Sequence, residues 1–149
     1  MASESQLQPA GVDLTVGEVR AFSSAGSVGF DNSERVLSGT KPLEFGPDGW
    51  LHLPKGAYKI VFSEAVKVPL DCAAFGFPRS SLLRCGATVE CAVWDPGYEG
   101  RSESLLVVEN EAGLRLKRGA RVMQLVFARI EGGAGEAYKG GFQGENLRK

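Results

Sequence analysis

Strand-sized apolar runs, each halted by a turn signal, do most to limit what this chain can fold into. Val12-Asp13-Leu14-Thr15-Val16 alternates apolar and polar residues, the period of a half-buried strand. Trp50-Leu51-His52-Leu53 is stopped by Pro54-Lys55-Gly56 and followed by Tyr58-Lys59-Ile60-Val61-Phe62. Val66-Lys67-Val68 ends at Pro69, and Ala73 to Phe77 is small and apolar. Ala87 to Trp94 breaks at Asp95-Pro96-Gly97, and Leu105 to Val108 and Val122 to Ile130 complete the series. No long helical period competes with them. Short strands at this spacing predict an all-β fold, whether sandwich, jelly roll or barrel. Glycine agrees, with 20 in 149 residues, nearly double the usual share of about 7%. They follow no three-residue period, so collagen is excluded. They are then expected at tight turns and at close backbone approaches.

Two runs do not alternate. Leu105-Leu106-Val107-Val108, and Met123 with Leu125-Val126-Phe127, are apolar on both strand faces, which fits a central layer or a subunit interface. Residues 23–48 read as a loop-rich excursion. Residues 132–149 contain Gly132-Gly133-Ala134-Gly135 and Gly140-Gly141 and read as a flexible tail unless something orders them. The whole of 1–149 suits one domain.

Charge excludes some functions. Seventeen basic side chains face 18 acidic ones, a net charge of -1, so no basic face for nucleic acid is expected. Cys72, Cys85 and Cys91 form no disulfide framework, and an odd count suits a reducing cytoplasm. The opening MASESQLQPAG lacks the basic and apolar regions of a signal peptide. No apolar run approaches the roughly 20 residues of a membrane span. A soluble cytoplasmic protein is expected. The only histidine is His52, so no Ser-His-Asp triad can use any other base. A Walker phosphate loop, HExxH and the H-x-E…P-C-x-x-C zinc signature are all missing. Chemistry must rest on carboxylates, hydroxyls, arginines and a loosely held Mg²⁺.

The densest segment is Pro78 to Asn110, PRSSLLRCGATVECAVWDPGYEGRSESLLVVEN. Arg79-Ser80-Ser81-Leu82-Leu83-Arg84 can open a short helix whose free N–H groups, hydroxyls and guanidiniums cradle a phosphate. On spacing alone, an N-cap followed by solvated arginines is the simpler reading. Asp95 at a strand end either stabilises the Pro96-Gly97 turn or takes a proton from water. Tyr98 is either a ring for a sugar or a core aromatic.

Five segments in order decide between these. Gln8-Pro9-Ala10-Gly11-Val12-Asp13-Leu14, Pro78-Arg79-Ser80-Ser81-Leu82, Val93-Trp94-Asp95-Pro96-Gly97-Tyr98-Glu99-Gly100, Gly119 to Phe127, and Tyr138-Lys139-Gly140-Gly141-Phe142-Gln143-Gly144-Glu145 resemble the successive motifs of the dUTPase and dCTP deaminase superfamily. The chain is most similar to the archaeal-type dUTPases. The resemblance implies a distorted β-barrel or jelly roll of the β-clip kind. It also implies a homotrimer with active sites at subunit interfaces, and Mg²⁺-dependent hydrolysis of dUTP to dUMP and pyrophosphate. By the same resemblance, Arg79 and Ser80 hold phosphate oxygens with Ser81 and Arg84 nearby, and Gln124 donates its amide to them. Asp95 orients and deprotonates the attacking water, with Arg84 grouped beside it in the catalysis. Tyr98 packs on the deoxyribose and leaves no room for a 2′-hydroxyl. The backbone at Ala92 and Val93 reads the uracil edge, and Asp13 meets Mg²⁺ through water. The tail, with Lys139, Phe142 and Gln143, closes over the triphosphate. Gly141 stands where the family often places a basic residue, and Lys139 lies two residues earlier. Gly11, Gly97, Gly100, Gly140, Gly141 and Gly144 are then read as close approach to a nucleotide and as a mobile lid.

Within the superfamily the alternative is a dCTP deaminase, or a bifunctional deaminase and dUTPase. Deaminases place a glutamate three residues before the asparagine that ends the next strand. Here that position is Val107, three before Asn110. Glu103 takes the place only if the hairpin bulges. An alternative of another class is a non-catalytic β-barrel binding module. Finding Arg79, Ser80, Asp95, Tyr98 and Gln124 together speaks against it.

Overall fold

The computed structural model describes residues 3–147. Residues 1, 2, 148 and 149 of the expected domain lie outside the described residues. The strands are β1 (Leu7–Gln8), β2 (Gly11–Phe22), β3 (Thr40–Leu43), β4 (Trp50–Leu53), β5 (Gly56–Phe62), β6 (Val66–Lys67) and β7 (Cys72–Pro78). A one-turn helix α1 (Ser80–Arg84) follows, then β8 (Ala87–Glu90), β9 (Glu99–Gly100), β10 (Glu103–Val108), β11 (Leu114–Lys117) and β12 (Arg121–Arg129).

The principal sheet runs β7-β12-β2-β5-β10-β8, with β1 and β3 also on β2. Its pairings are antiparallel. The sheet curls until its ends meet. Beyond β8, Trp94 exchanges two backbone hydrogen bonds with Ala74 of β7, at 2.9 and 3.0 Å. The result is a distorted, nearly closed barrel. The bend lies in β2, whose first half pairs with β12 and whose second half pairs with β5 and β3. Its register against β5 shifts between Val16 and Glu18, as a bulge requires for a strand to turn. The small ribbons β4–β11 and β6–β9 complete the described pairings.

The alternation of the sequence sets the core. Leu14, Val16 and Val19 of β2, Ile60 and Phe62 of β5, Leu106 and Val108 of β10, and Met123 and Leu125 of β12 all point inward with at most 2% exposure. Each such side chain contributes roughly 1.5–3 kcal/mol by leaving water. The run Leu105–Val108 is central, since β10 pairs with both β5 and β8. On the outer face of β7 and β12, Phe75 and Phe77 remain exposed, opposite Val126 and Gln124. Among the described residues no helix is long and apolar enough to cross a membrane.

Three expectations change. The strand expected to run to Trp94 stops at Glu90, because Cys91 to Val93 leave the ladder. The excursion at 23–48 contains a strand, β3, held by β2. Gly11 is a close approach, but to this chain's own β12. A Cβ there would collide with the Leu125 carbonyl, and backbone cannot step aside. Gly11→Ala is expected to cost about 3 kcal/mol as an overpacked site. Thermal unfolding should show Tm falling by on the order of 10 °C.

Candidate active site

A cavity of about 560 Å³ opens beside the barrel seam. Its wall carries Ala92, Val93, Asp95 and Tyr98 from the segment after β8, Lys59 of β5, Glu103 of β10, and Phe142 and Glu145 of the tail. The seam explains why it forms there. Between the end of β8 and the Trp94 bridge, the backbone N–H and C=O groups of Ala92 and Val93 have no hydrogen-bond partner among the described residues. Both residues are exposed, so these groups are free to exchange water for the edge of a flat heterocycle.

Asp95 is exposed. The turn it begins is closed by main chain, with the Tyr98 N–H donating to the Asp95 carbonyl at 3.1 Å. Its carboxylate accepts no hydrogen bond from any described residue and is free to act on something in the cavity. Tyr98 is a core aromatic that also reaches the cavity wall. Its ring is only 5% exposed and meets Tyr138 edge to face at 5.8 Å, yet it forms part of the wall. Its hydroxyl donates to Glu145 Oε1 at 2.8 Å. Burial, reinforced by that carboxylate, holds the Tyr98 phenol far above its usual range. Burial likewise pushes the Glu145 carboxyl up, with the Glu103 charge adding to the effect. Glu103 itself is paired with Lys59 at 2.7 Å. Also in the wall, the Trp94 indole N–H donates to Ser102 Oγ at 3.0 Å.

What orders the tail is the chain itself. Tyr138 donates its N–H to the Pro96 carbonyl at 2.7 Å, Gly144 to Glu99 at 2.8 Å, and Glu145 accepts from Arg101 N–H at 2.9 Å. Gln143 was expected at the nucleotide. Instead, both ends of its amide are bound to backbone, accepting from Glu99 N–H and donating to the Gly97 carbonyl, each at 3.0 Å. Lys139 pairs with Glu136 at 3.0 Å and is not in the cavity wall. Phe142 is, with the Arg35 guanidinium 5.2 Å from its ring centroid.

The other expected residues form a second group. Asp13 on β2, Gln124 on β12 and Phe77 on β7 lie opposite one another across the sheet. Arg79 follows two residues after Phe77 on the same face. Asp13 is 1% exposed, and its Oδ2 receives Arg79 and Arg121, each at 3.3 Å. Arg79 occupies the N-cap position of α1 without making a side-chain cap, so the N-cap alone does not account for it. Ser80 and Ser81 are exposed at the start of α1. Arg84, expected among the catalytic groups, is turned onto its own helix and donates to the Ser80 carbonyl at 3.1 Å. None of this group lines the cavity. Ala74, at the seam, and Arg79 are five strand residues apart, about 17 Å.

Sequence reading missed Lys59, Tyr138, Glu145 and Arg121. Arg121, Tyr138 and Glu145 lay inside recognised motifs but carried no spacing signal of their own. A family model described as dCTP deaminase-like matches residues 1–130. The chain belongs to the dCTP deaminase-like family. Within and around that family, a probable deoxyuridine 5'-triphosphate nucleotidohydrolase of Methanosarcina mazei is 56% identical over 144 residues. The match covers 97% of this chain and 84% of that one. The deoxyuridine 5'-triphosphate nucleotidohydrolase of Methanocaldococcus jannaschii is 37% identical over 142 residues, covering 95% and 89%. Among solved structures, the 2'-deoxycytidine 5'-triphosphate deaminase of Agrobacterium tumefaciens superposes with a TM-score of 0.65 at 20% identity. That match covers 87% of this chain and 42% of that one. The native EIAV dUTPase gives 0.50 at 16% identity, covering 62% and 78%. These two likenesses are of fold.

Proposed function

We propose that this member of the dCTP deaminase-like family is a dUTP diphosphatase, hydrolysing dUTP to dUMP and pyrophosphate in the cytoplasm. The observation that carries the reading is the seam cavity. There an unpaired backbone edge at Ala92 and Val93, a ring at Tyr98 and an unpartnered carboxylate at Asp95 face one space. The edge supplies donors and acceptors for a pyrimidine, Tyr98 supplies a flat face for deoxyribose, and Asp95 takes the proton of an attacking water. A general base of this kind gives about 10²–10⁴ in rate. The names of relatives as similar as 56% point the same way.

Arg79, Ser80, Ser81, Arg84 and Gln124 are offered as the triphosphate-binding group. They stand away from their own chain's cavity, beside exposed Phe75 and Phe77. An apolar face of this kind meets a partner, so in this reading a neighbouring copy in a homotrimer supplies them. The segment 132–149, with Lys139 and Phe142, serves as the lid.

For magnesium, the donors among the described residues do not form a cage. Among the described residues no three His, Cys, Asp or Glu side chains are grouped to hold an ion. Asp13, expected to reach Mg²⁺ through water, lies buried beneath two guanidiniums. The ion belongs in this reading as the companion of the triphosphate, bound through phosphate oxygens.

Deamination is disfavoured by a specific observation. β10 keeps continuous register with both β5 and β8, so no bulge carries Glu103 to the position of Val107. They remain four residues apart, about 13 Å, and Glu103 is paired with Lys59. The test is incubation with dUTP and dCTP separately, with chromatography of the products. Release of dUMP from dUTP with dCTP untouched is expected. Conversion of dCTP to a uracil nucleotide would overturn the assignment, and so would failure to act on dUTP.

A further inference from the structure

The contact between Tyr98 and Glu145 joins the wall of the cavity to the chain's C-terminal segment. It is built with care. Gly100 lies beneath it, and a Cβ there would sit 2.6 Å from the Tyr98 hydroxyl and 3.2 Å from Glu145 Cγ. Any larger residue there would push the two side chains out of this arrangement. The Glu145 backbone is held independently, its carbonyl accepting from Arg101 N–H at 2.9 Å, while Gly144 N–H binds the Glu99 carbonyl at 2.8 Å. Asn146 adds a bond to the Arg101 carbonyl at 3.0 Å. The carboxylate is therefore delivered to a fixed point, and Tyr98 is clamped between it and the Tyr138 ring. Lys59 and Glu103 face the same space but are occupied with each other.

Resting on the dUTPase reading above, we infer that Glu145 is a positioning residue for sugar specificity. Its hydrogen bond fixes the position of the Tyr98 ring, and that position decides whether a 2′-hydroxyl fits against it. A phenol with its hydroxyl free can swing about χ1 and shift its ring by a fraction of an ångström, enough to admit an added oxygen. A clamped one cannot.

The experiment compares Glu145→Ala and Glu145→Gln with the unaltered protein. The readout is the ratio of kcat/KM for dUTP to that for UTP. Glu145→Ala is expected to lower the ratio about tenfold, the scale of one lost hydrogen bond to a charged group. The loss should come through a lower KM for UTP, and the ratio, not the absolute rate on dUTP, is the readout. Glu145→Gln keeps an acceptor carbonyl at the same reach and should stay within about twofold of the unaltered ratio. An unchanged ratio in Glu145→Ala would overturn the inference, as would a Gln variant as impaired as the Ala one. Circular dichroism of each variant checks that the barrel is intact. If the unaltered protein leaves dUTP intact, the functional reading fails by itself. Calorimetric preference for dUMP over UMP in the same three proteins then decides the role of Glu145.

Discussion

Asp95→Asn should lower kcat for dUTP by about 10²–10⁴-fold while leaving KM within a few-fold. The substitution is nearly isosteric, and the turn at this position does not rely on the side chain. The bond that closes it runs from the Tyr98 N–H to the Asp95 backbone carbonyl, and asparagine preserves it. What asparagine removes is the ability to accept a proton. Steady-state kinetics on dUTP, with thermal unfolding as a control, make the check. If the variant hydrolyses dUTP at the unaltered rate, Asp95 is a turn residue and the mechanism is wrong. If it unfolds at a much lower temperature, the side chain has a structural part that the geometry does not show.

The second large effect concerns the division between the cavity and the arginine group. Arg79→Ala removes a guanidinium offered to the triphosphate and should be nearly inactive on its own, as should Asp95→Asn. Mixed after unfolding and refolded together, the two inactive proteins should recover activity. A mixed interface can pair an intact Asp95 cavity from one copy with an intact Arg79 from another. Random assembly gives roughly a quarter of the interfaces that combination. Recovery of that order requires a shared site. No recovery, with assembly confirmed by light scattering, would mean that each chain completes its own site. Asp13 complicates Arg79→Ala only mildly, because Arg121 still faces its buried carboxylate at 3.3 Å.

The barrel was legible because its strands advertise themselves. Val12 to Val16, Tyr58 to Phe62 and Val122 to Ile130 alternate or run apolar; the first two lie within observed strands, and the third overruns β12, which ends at Arg129, by one residue. The misses have physical causes. β11 is a short Leu-Arg-Leu-Lys segment whose pairing with β4 comes from tertiary placement rather than from length. β3 contains Pro42, which argues against a central strand but is tolerated on an edge strand, and among the described residues β3 pairs only with β2. In the site, Asp95 and Tyr98 could be picked out because a strand end and a turn mark them. Glu145 could not. Its role depends on the tail folding back over Gly100, a contact 47 residues from Tyr98 in sequence, and nothing local to Glu145 announces it. Gln143 and Arg84 are the opposite case. Their chemistry marks them in the sequence, while in the structure their hydrogen bonds go to nearby backbone carbonyls and N–H groups.

The seam at Ala74 and Trp94 has one more consequence. A barrel joined at one place by a single pair of residues is weakest to local opening there, so the amides of Ala92 and Val93 should exchange with solvent deuterium faster than those in the ladders of β5 and β10. A heterocycle seated on that edge would act as a short surrogate strand and lengthen the join. Ligand binding would then slow exchange around the circumference of the barrel, in strands the ligand never touches.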